Sequence, residues 1–351
     1  MRITLERRLT PLPFAHFVIP AASFVLALVV CAFVLAFAGV SPIEAYKEMF
    51  LGVFGSGYSL SETFVKAIPL ILCGLGVALA FKMELWNIGA EGQFFMGAMA
   101  ASFVALKMGN LSPWVVIPLM MLSGAAAGGL WGLIPGAFKA FAGANEAITT
   151  LMMNYVAILW VDYLVYGPWK DPSGYGFPET AQFGPNTYLP VIGGTRVHLG
   201  LAFGILLAAV LWVVFDRTRW GYEIKVTGAN PNAARYAGIN ITKNVLLVMF
   251  LSGALAGLAG MAEVSGIQHR LQHGFSAGYG YSAIIVAWLA RLNPWGILLS
   301  AFLFGSLLVG GDQLQISMSL PVSFSYILQG AILFFILGGS VLADYAPRIK
   351  K

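Results

Sequence analysis

Ser276 stands at the centre of GFSAG, the spacing of a nucleophile elbow, close to two histidines, His269 and His273, in HRLQH. An elbow needs a strand before the serine, a helix after it and a histidine oriented toward the hydroxyl. The segment upstream of Ser276 is a helical apolar run and the histidines lie in a loop-like stretch, so the match reads as chance. The two histidines have the i, i+4 spacing of metal ligands, but HRLQH lacks the glutamate of H-E-x-x-H and a third ligand. Glycine nowhere precedes lysine, so there is no phosphate-cradling P-loop and no ATPase on this chain. Cys31 and Cys73 fall inside apolar runs and predict neither a disulfide nor a metal site. The expectation is no catalytic residue, no metal and no cofactor on this chain.

A different polar stretch carries more. ELWNIGAEGQFF, from Glu84 to Phe95, separates AIPLILCGLGVALAF from FFMGAMAASFVAL, and each flanking run is slightly short for a membrane span. Non-helical backbone at membrane depth is tolerated only where protein or a water-filled cavity satisfies it. A carboxylate such as Glu91 would then face the bundle interior. Gly89 and Gly92 permit the break and a close approach of neighbouring backbone. The competing reading is a plain inner-side turn beside Lys82.

These residues need a membrane scaffold. Apolar residues make up 59% of the chain and charged ones only 10%, outside the range of soluble domains. The fold expected is all-α and polytopic, with about ten transmembrane helices at roughly 15–40, 67–82, 92–108, 114–140, 146–167, 198–215, 245–264, 280–292, 295–312 and 322–342. The basic start and AFAG imitate a signal peptide, but the apolar region is too long for one, so an uncleaved first span is expected. With that end inside, about 14 of the 20 Lys and Arg fall on inner segments, which puts both termini on the cytoplasmic side of a bacterial plasma membrane. The slight basic excess forms no stripe and calls for no nucleic acid; the bilayer is the partner.

Split after the fifth span, the halves at about 15–167 and 198–342 run in parallel. Each has a polar break before a short span, and the whole reads as one permease-like domain, 1–351. Five spans per half inverts their topology, and an offset of about 183 carries Glu91 to Gly274. Broken segments at matching positions of inverted halves point to a transport site. Gly124, Gly128, Gly132 and Gly136, and Gly253, Gly257 and Gly260, form small-residue faces read as internal helix packing.

An outer loop covers 168–197 and an inner one 216–244. In the inner loop, Asn230-Pro231 should cap and start a helix of about two turns through PNAARYAG, ended by Gly238. Ala233, Ala234 and Ala237 would permit a close fit into a groove, with Arg235 and Tyr236 as anchors.

GANPNAARYAGI resembles the coupling-helix loop of ABC importer permeases of the branched-chain amino acid, ribose and simple-sugar class. LWNIGAEGQFFMGAMAA, GANEAITTLMMNYVA and GFSAGYGYSAIIVAWLAR are similar to the same family, nearest its nucleoside and simple-sugar permeases, in order along nearly the whole chain. Ala90, Gln93 and the chain length resemble the larger of two sister permeases. The resemblance implies a second homologous permease subunit, a separate ATPase subunit that uses the ATP, and a substrate-binding lipoprotein outside. It places ATPase coupling on Gly228, Asn230, Pro231, Ala233, Ala234, Arg235, Tyr236 and Gly238. It places the pathway or its gate on Asn87, Gly89, Glu91, Gly92 and Gln93, with Asn145, Glu146 and Asn154 as further candidates, although Asn154 could equally serve as a helix-packing hydrogen bond. A nucleoside is the first expected solute and a simple sugar the alternative. A secondary transporter is the runner-up; Asp162, Glu263 and Asp312 near span ends give little sign of ion coupling.

Overall fold

Every long apolar run becomes a helix, as it must where backbone groups have no water to bond. The computed structural model describes residues 2–7 and 15–350. In order the helices are α1 (Ala15–Phe37), α2 (Pro42–Phe54), α3 (Gly57–Phe81), α4 (Ala90–Met108), α5 (Pro113–Ala142), α6 (Glu146–Tyr166) and α7 (Gly200–Arg217). Then come α8 (Arg219–Ala229), α9 (Pro231–Tyr236), α10 (Ile241–Glu263), α11 (Tyr279–Leu289), α12 (Pro294–Met318) and α13 (Ser323–Asp344). Helices stand at all ten expected places. Among the described residues, length and composition mark six as able to cross a bilayer, or seven if the bent pair α1–α2 is one span.

Two compact units divide the chain. One holds Met1–Leu60 and Ser306–Lys351. In it the end segments β1 (Arg2–Arg7) and β2 (Tyr345–Lys350) pair antiparallel, an element that the all-α reading did not contain. The chain turns by 118° between α1 and α2. Gly39, at φ +78°, takes the left-handed backbone that this corner requires. Helix α2 lies between the first two expected spans.

The other unit, Ser61–Gly305, is built on glycine contacts between α4, α5 and α10. A methyl group on Gly128 of α5 would sit 2.4 Å from the Gly253 carbonyl oxygen of α10. One on Gly257 would meet Gly124 O at 2.2 Å, and one on Gly97 of α4 would meet Gly257 Cα at 2.2 Å. Backbone packs on backbone here, which is how helices associate when lipid removes the hydrophobic drive. Gly253 and Gly257 thus meet Gly124 and Gly128 of the other glycine face, while Gly260 packs on Phe94 and Ala98 of α4.

Irregular stretches separate two pairs of successive expected spans, α3 from α4 and α10 from α11. Helix α3 stops with Glu84 in the left-handed region (φ +56°) and Leu85 N bonding back to Ala80 O, a Schellman-type end. An irregular stretch then runs to Gly89 before α4 begins. On the other side, α10 continues as a π-helical turn, Val264–Gln268, and the chain reverses at His269 (φ +53°) before α11 starts. Helix α11 has 11 residues, about 16 Å at 1.5 Å each, roughly half a bilayer core.

Candidate functional site: two broken segments and an inner loop

The irregular stretch between α3 and α4 leaves backbone groups that need partners, and one face of α6 supplies them. Glu146, Thr150 and Asn154 recur every four residues, so their side chains rise along one line. Trp86 N donates to Glu146 Oε1 at 3.4 Å, Ile88 N to Thr150 Oγ1 at 3.2 Å and Gly92 N to Asn154 Oδ1 at 2.8 Å. Asn154 Nδ2 also donates to Ile88 O at 2.9 Å and to the Tyr281 hydroxyl at 3.3 Å. Methyl groups on Gly89 and Gly92 would lie 2.9 Å from Thr150 Cβ and Asn154 Cα, so the glycines serve close approach to α6. Lys139 pairs with the other Glu146 oxygen at 2.8 Å. Asn145 does not join the break; it caps α6 by accepting from Ala147 N and Ile148 N.

A second knot faces α10. Asn87 Nδ2 donates to Gln93 Oε1 at 3.0 Å and to Ser252 Oγ at 2.8 Å, while Ser252 donates to Gly76 O at 2.7 Å. Gln93 Nε2 and Gly89 N both donate to Asn87 Oδ1.

Glu91 reaches the second break, between α10 and α11. Its Oε1 accepts the Ser276 hydroxyl at 2.6 Å and its Oε2 accepts Gly280 N at 2.6 Å. Ser276 Oγ in turn accepts from Gly278 N at 3.1 Å and Tyr279 N at 3.4 Å. Glu91 and Ser276 together satisfy the first amides of α11, which a helix start leaves without intrahelical partners. Asn87, Glu91, Gln93 and Asn154 are all 3% exposed or less. The Glu91 oxygens are buried and held by protein donors.

Sequence reading did not single out Thr150, Ser252, Gly280 or Tyr281, and it set Ser276 aside as a chance motif. Thr150 was legible from its i+4 spacing between Glu146 and Asn154. Ser276, which accepts from the amides two and three residues on, makes the kind of local turn that serine favours. Ser252 and Gly280 carry no local signal.

The inner loop folds as α8 and α9. Asn230 Oδ1 accepts from Asn232 N and Ala233 N, Pro231 takes the first helical position, and Gly238 follows α9 at φ +74°. These caps are as expected. Arg235 and Tyr236 are exposed, Tyr236 at 94%. Ala234 and Gly228 are not. Ala234 is fully buried within the chain, and a methyl on Gly228 would meet Lys82 O at 2.9 Å and Met83 Cα at 3.2 Å. Both therefore seat the loop on its own protein and present nothing outward. Beside them is a cavity of about 660 Å³ whose lining includes Met83, Glu84, Lys139, Thr227, Arg235 and Asn240.

The outer loop lies along the second break. Thr180 N donates to Leu271 O at 2.9 Å, Phe183 N to His269 O at 2.8 Å and His273 N to Pro178 O at 3.0 Å. His273 Nδ1 sits 2.7 Å from Asp162 Oδ1, and Arg270 pairs with Glu179. His198 is fully buried and its Nδ1 accepts from Gly200 N at 3.2 Å. Burial, with help from nearby His269, pushes its imidazole down to about 4.

Membrane-length helices, two interrupted segments tied together and a capped loop helix define a multi-pass membrane protein of transporter type. The chain belongs to the family described as branched-chain amino acid transport system / permease component, which matches residues 59–337. It is 34% identical to the glucose ABC transporter permease protein TsgB13 of Haloferax volcanii, over 99% of this chain and 94% of that one. It is 33% identical to the guanosine ABC transporter permease protein NupP of Bacillus subtilis, over 96% of this chain and 97% of that one. A second guanosine permease protein of Bacillus subtilis, NupQ, is 28% identical over 82% of this chain and 92% of its own.

Proposed function

We propose that this chain is the larger permease subunit of an ATP-binding cassette importer and carries a nucleoside across the bacterial plasma membrane. The observation that carries the reading is the exposed pair Arg235–Tyr236 on a helix capped by Asn230 and Gly238, within a family of transport permeases. A separate ATPase subunit docks there from the cytoplasm. The loop 168–197 faces the opposite side and receives a substrate-binding lipoprotein. Pairing of Arg2–Arg7 with Tyr345–Lys350 supports both ends lying on one side, the cytoplasmic one. Ten crossings in two inverted halves give that arrangement.

The two breaks form the gate, with Asn87, Gly89, Glu91, Gly92, Gln93, Glu146 and Asn154 moving as one fastened group and Asn145 holding the start of α6. A second, homologous permease completes the pathway. Its support is that NupP and NupQ are two different guanosine permease proteins of one organism. The same two relatives favour a nucleoside, while likeness to TsgB13 keeps a monosaccharide as the second reading. Uptake by cells expressing the assembled transporter, in a strain lacking its own nucleoside uptake, tests the choice. Radiolabelled guanosine should enter and unlabelled nucleosides should compete. Competition by glucose alone would shift the reading to a sugar.

A further inference from the structure

Two contacts lie at either end of one short stretch. At its start, Gly228 of α8 rests on the Lys82–Met83 turn, with no room for a single methyl group between them. At its end, Glu91 holds the first amides of α11 through Ser276 and Gly280. Between them the backbone is pinned to α6 at Trp86 and Ile88, and just beyond them at Gly92. Helix α8 is itself anchored to α10, because Asn244 accepts from Trp220 Nε1 at 3.1 Å and donates to Glu223 at 3.2 Å. A displacement of the α8–α9 loop therefore has a contiguous, tightly packed line to the second break.

We propose that Glu91 is a positioning residue that couples the α8–α9 loop to the second break, by setting the position of the α11 N-terminus. The proposal rests on the reading of α9 as the ATPase contact. Its chemistry is specific to a carboxylate. Gly280 N is a fixed donor, and Ser276 Oγ already accepts amides, so it can only donate to Glu91. A side chain with two acceptor atoms and no donor satisfies both partners at once. Glutamine offers one acceptor and turns an NH₂ group toward one of them. A purely structural tie would lower the yield of assembled protein and leave the ATP response of the surviving fraction intact. A coupling tie loses the response itself.

The test uses the full assembly copurified with its ATPase. Ala277, partly exposed beside Ser276, is replaced by cysteine. Labelling by a membrane-impermeant maleimide is compared without nucleotide and after trapping with ATP and vanadate. Cys31 and Cys73 are buried and give little background. The Ala277→Cys chain should change its labelling rate about fivefold or more on trapping, the lower range of site-to-site coupling. With Glu91→Leu added, the ratio should fall to about one. Glu91→Gln should lie nearer the leucine variant than the parent, and Ser276→Ala, which keeps the Gly280 bond, in between. If Glu91→Leu does not assemble, the other two variants carry the test. A parental ratio in Glu91→Gln and Ser276→Ala, or in Glu91→Leu, overturns the proposal. So does a parent with no response to trapping. No solute enters the measurement, so the nucleoside assignment is judged separately. Failure of any ATPase to copurify with the unmutated chain would overturn the ABC reading and this inference with it.

Discussion

Glu91 and Gly280 are 189 positions apart and share one hydrogen bond at 2.6 Å. They are also in direct backbone contact, since a methyl group on Gly280 would lie 2.2 Å from Glu91 N. The start of α4 and the start of α11 thus meet backbone to backbone, and only glycine fits at the junction.

The first prediction follows from that junction. Alanine is a better helix former than glycine by about 0.8–1.0 kcal/mol. Gly280→Ala should nevertheless lower the melting temperature of the detergent-purified protein, because the added methyl has only backbone to push against. Gly330→Ala, where nothing lies within 4 Å, is the control and should be neutral or slightly stabilising. A Gly280→Ala chain as stable as the control would refute the close contact.

Thr150 gives the second. Thr150→Val keeps the shape but removes the hydroxyl acceptor of Ile88 N, leaving that amide only Trp86 O, at about 0.5–1.5 kcal/mol for a lost hydrogen bond. Thr150→Ser keeps the hydroxyl and should recover most of that. Chemical denaturation in mixed micelles would show the ordering. Equal midpoints for the valine and serine variants would mean that the α6 ladder does not hold the break.

The inner loop gives the third. Because Ala234 is buried within the chain, Ala234→Trp should damage folding before it can affect docking, and should appear as loss of monodisperse protein on size-exclusion chromatography. Arg235→Ala and Tyr236→Ala remove exposed groups, so both should purify normally yet fail to retain the ATPase. A well-folded Ala234→Trp chain that merely loses the ATPase would restore the outward-facing view of Ala234.

How far these features could be read in advance depended on distance along the chain. Asn230, Pro231 and Gly238 act within their own turn, and their caps stand where the sequence put them. The breaks were visible because polar residues interrupt apolar runs, and the glycine faces because four-residue spacing marks one side of a helix. What Glu91 touches was not visible. A layout offset pointed to Gly274, while the bonds go to Ser276 and Gly280, and no local pattern fixes such a register between segments. The inward face of Ala234 was missed for a related reason. A two-turn helix has a buried side, and composition alone did not say which alanine would occupy it.

The fourth prediction concerns pH. The His198 imidazole sits at about 4 in the fold, against an ordinary 6.5. Between those values the unfolded chain takes up a proton that the folded chain refuses. Stability from this group is complete above about 6.5, falls as pH drops toward 4, and changes no further below. The loss should be on the order of 3 kcal/mol. Melting temperature should drop between pH 7.5 and 5, and His198→Asn, whose carbonyl can still accept Gly200 N–H, should flatten that slope. An unchanged slope would assign the acid sensitivity to other groups.

ATP-driven transport is the central claim, and proteoliposomes test it most directly. They would contain this chain, its companion permease and its ATPase, with the binding protein supplied on the opposite side. Radiolabelled guanosine should accumulate only when ATP is present on the α9 side, and accumulation should stop with an ATPase subunit that cannot hydrolyse it. Uptake driven by a proton or sodium gradient without ATP would contradict the account and make the chain a secondary carrier.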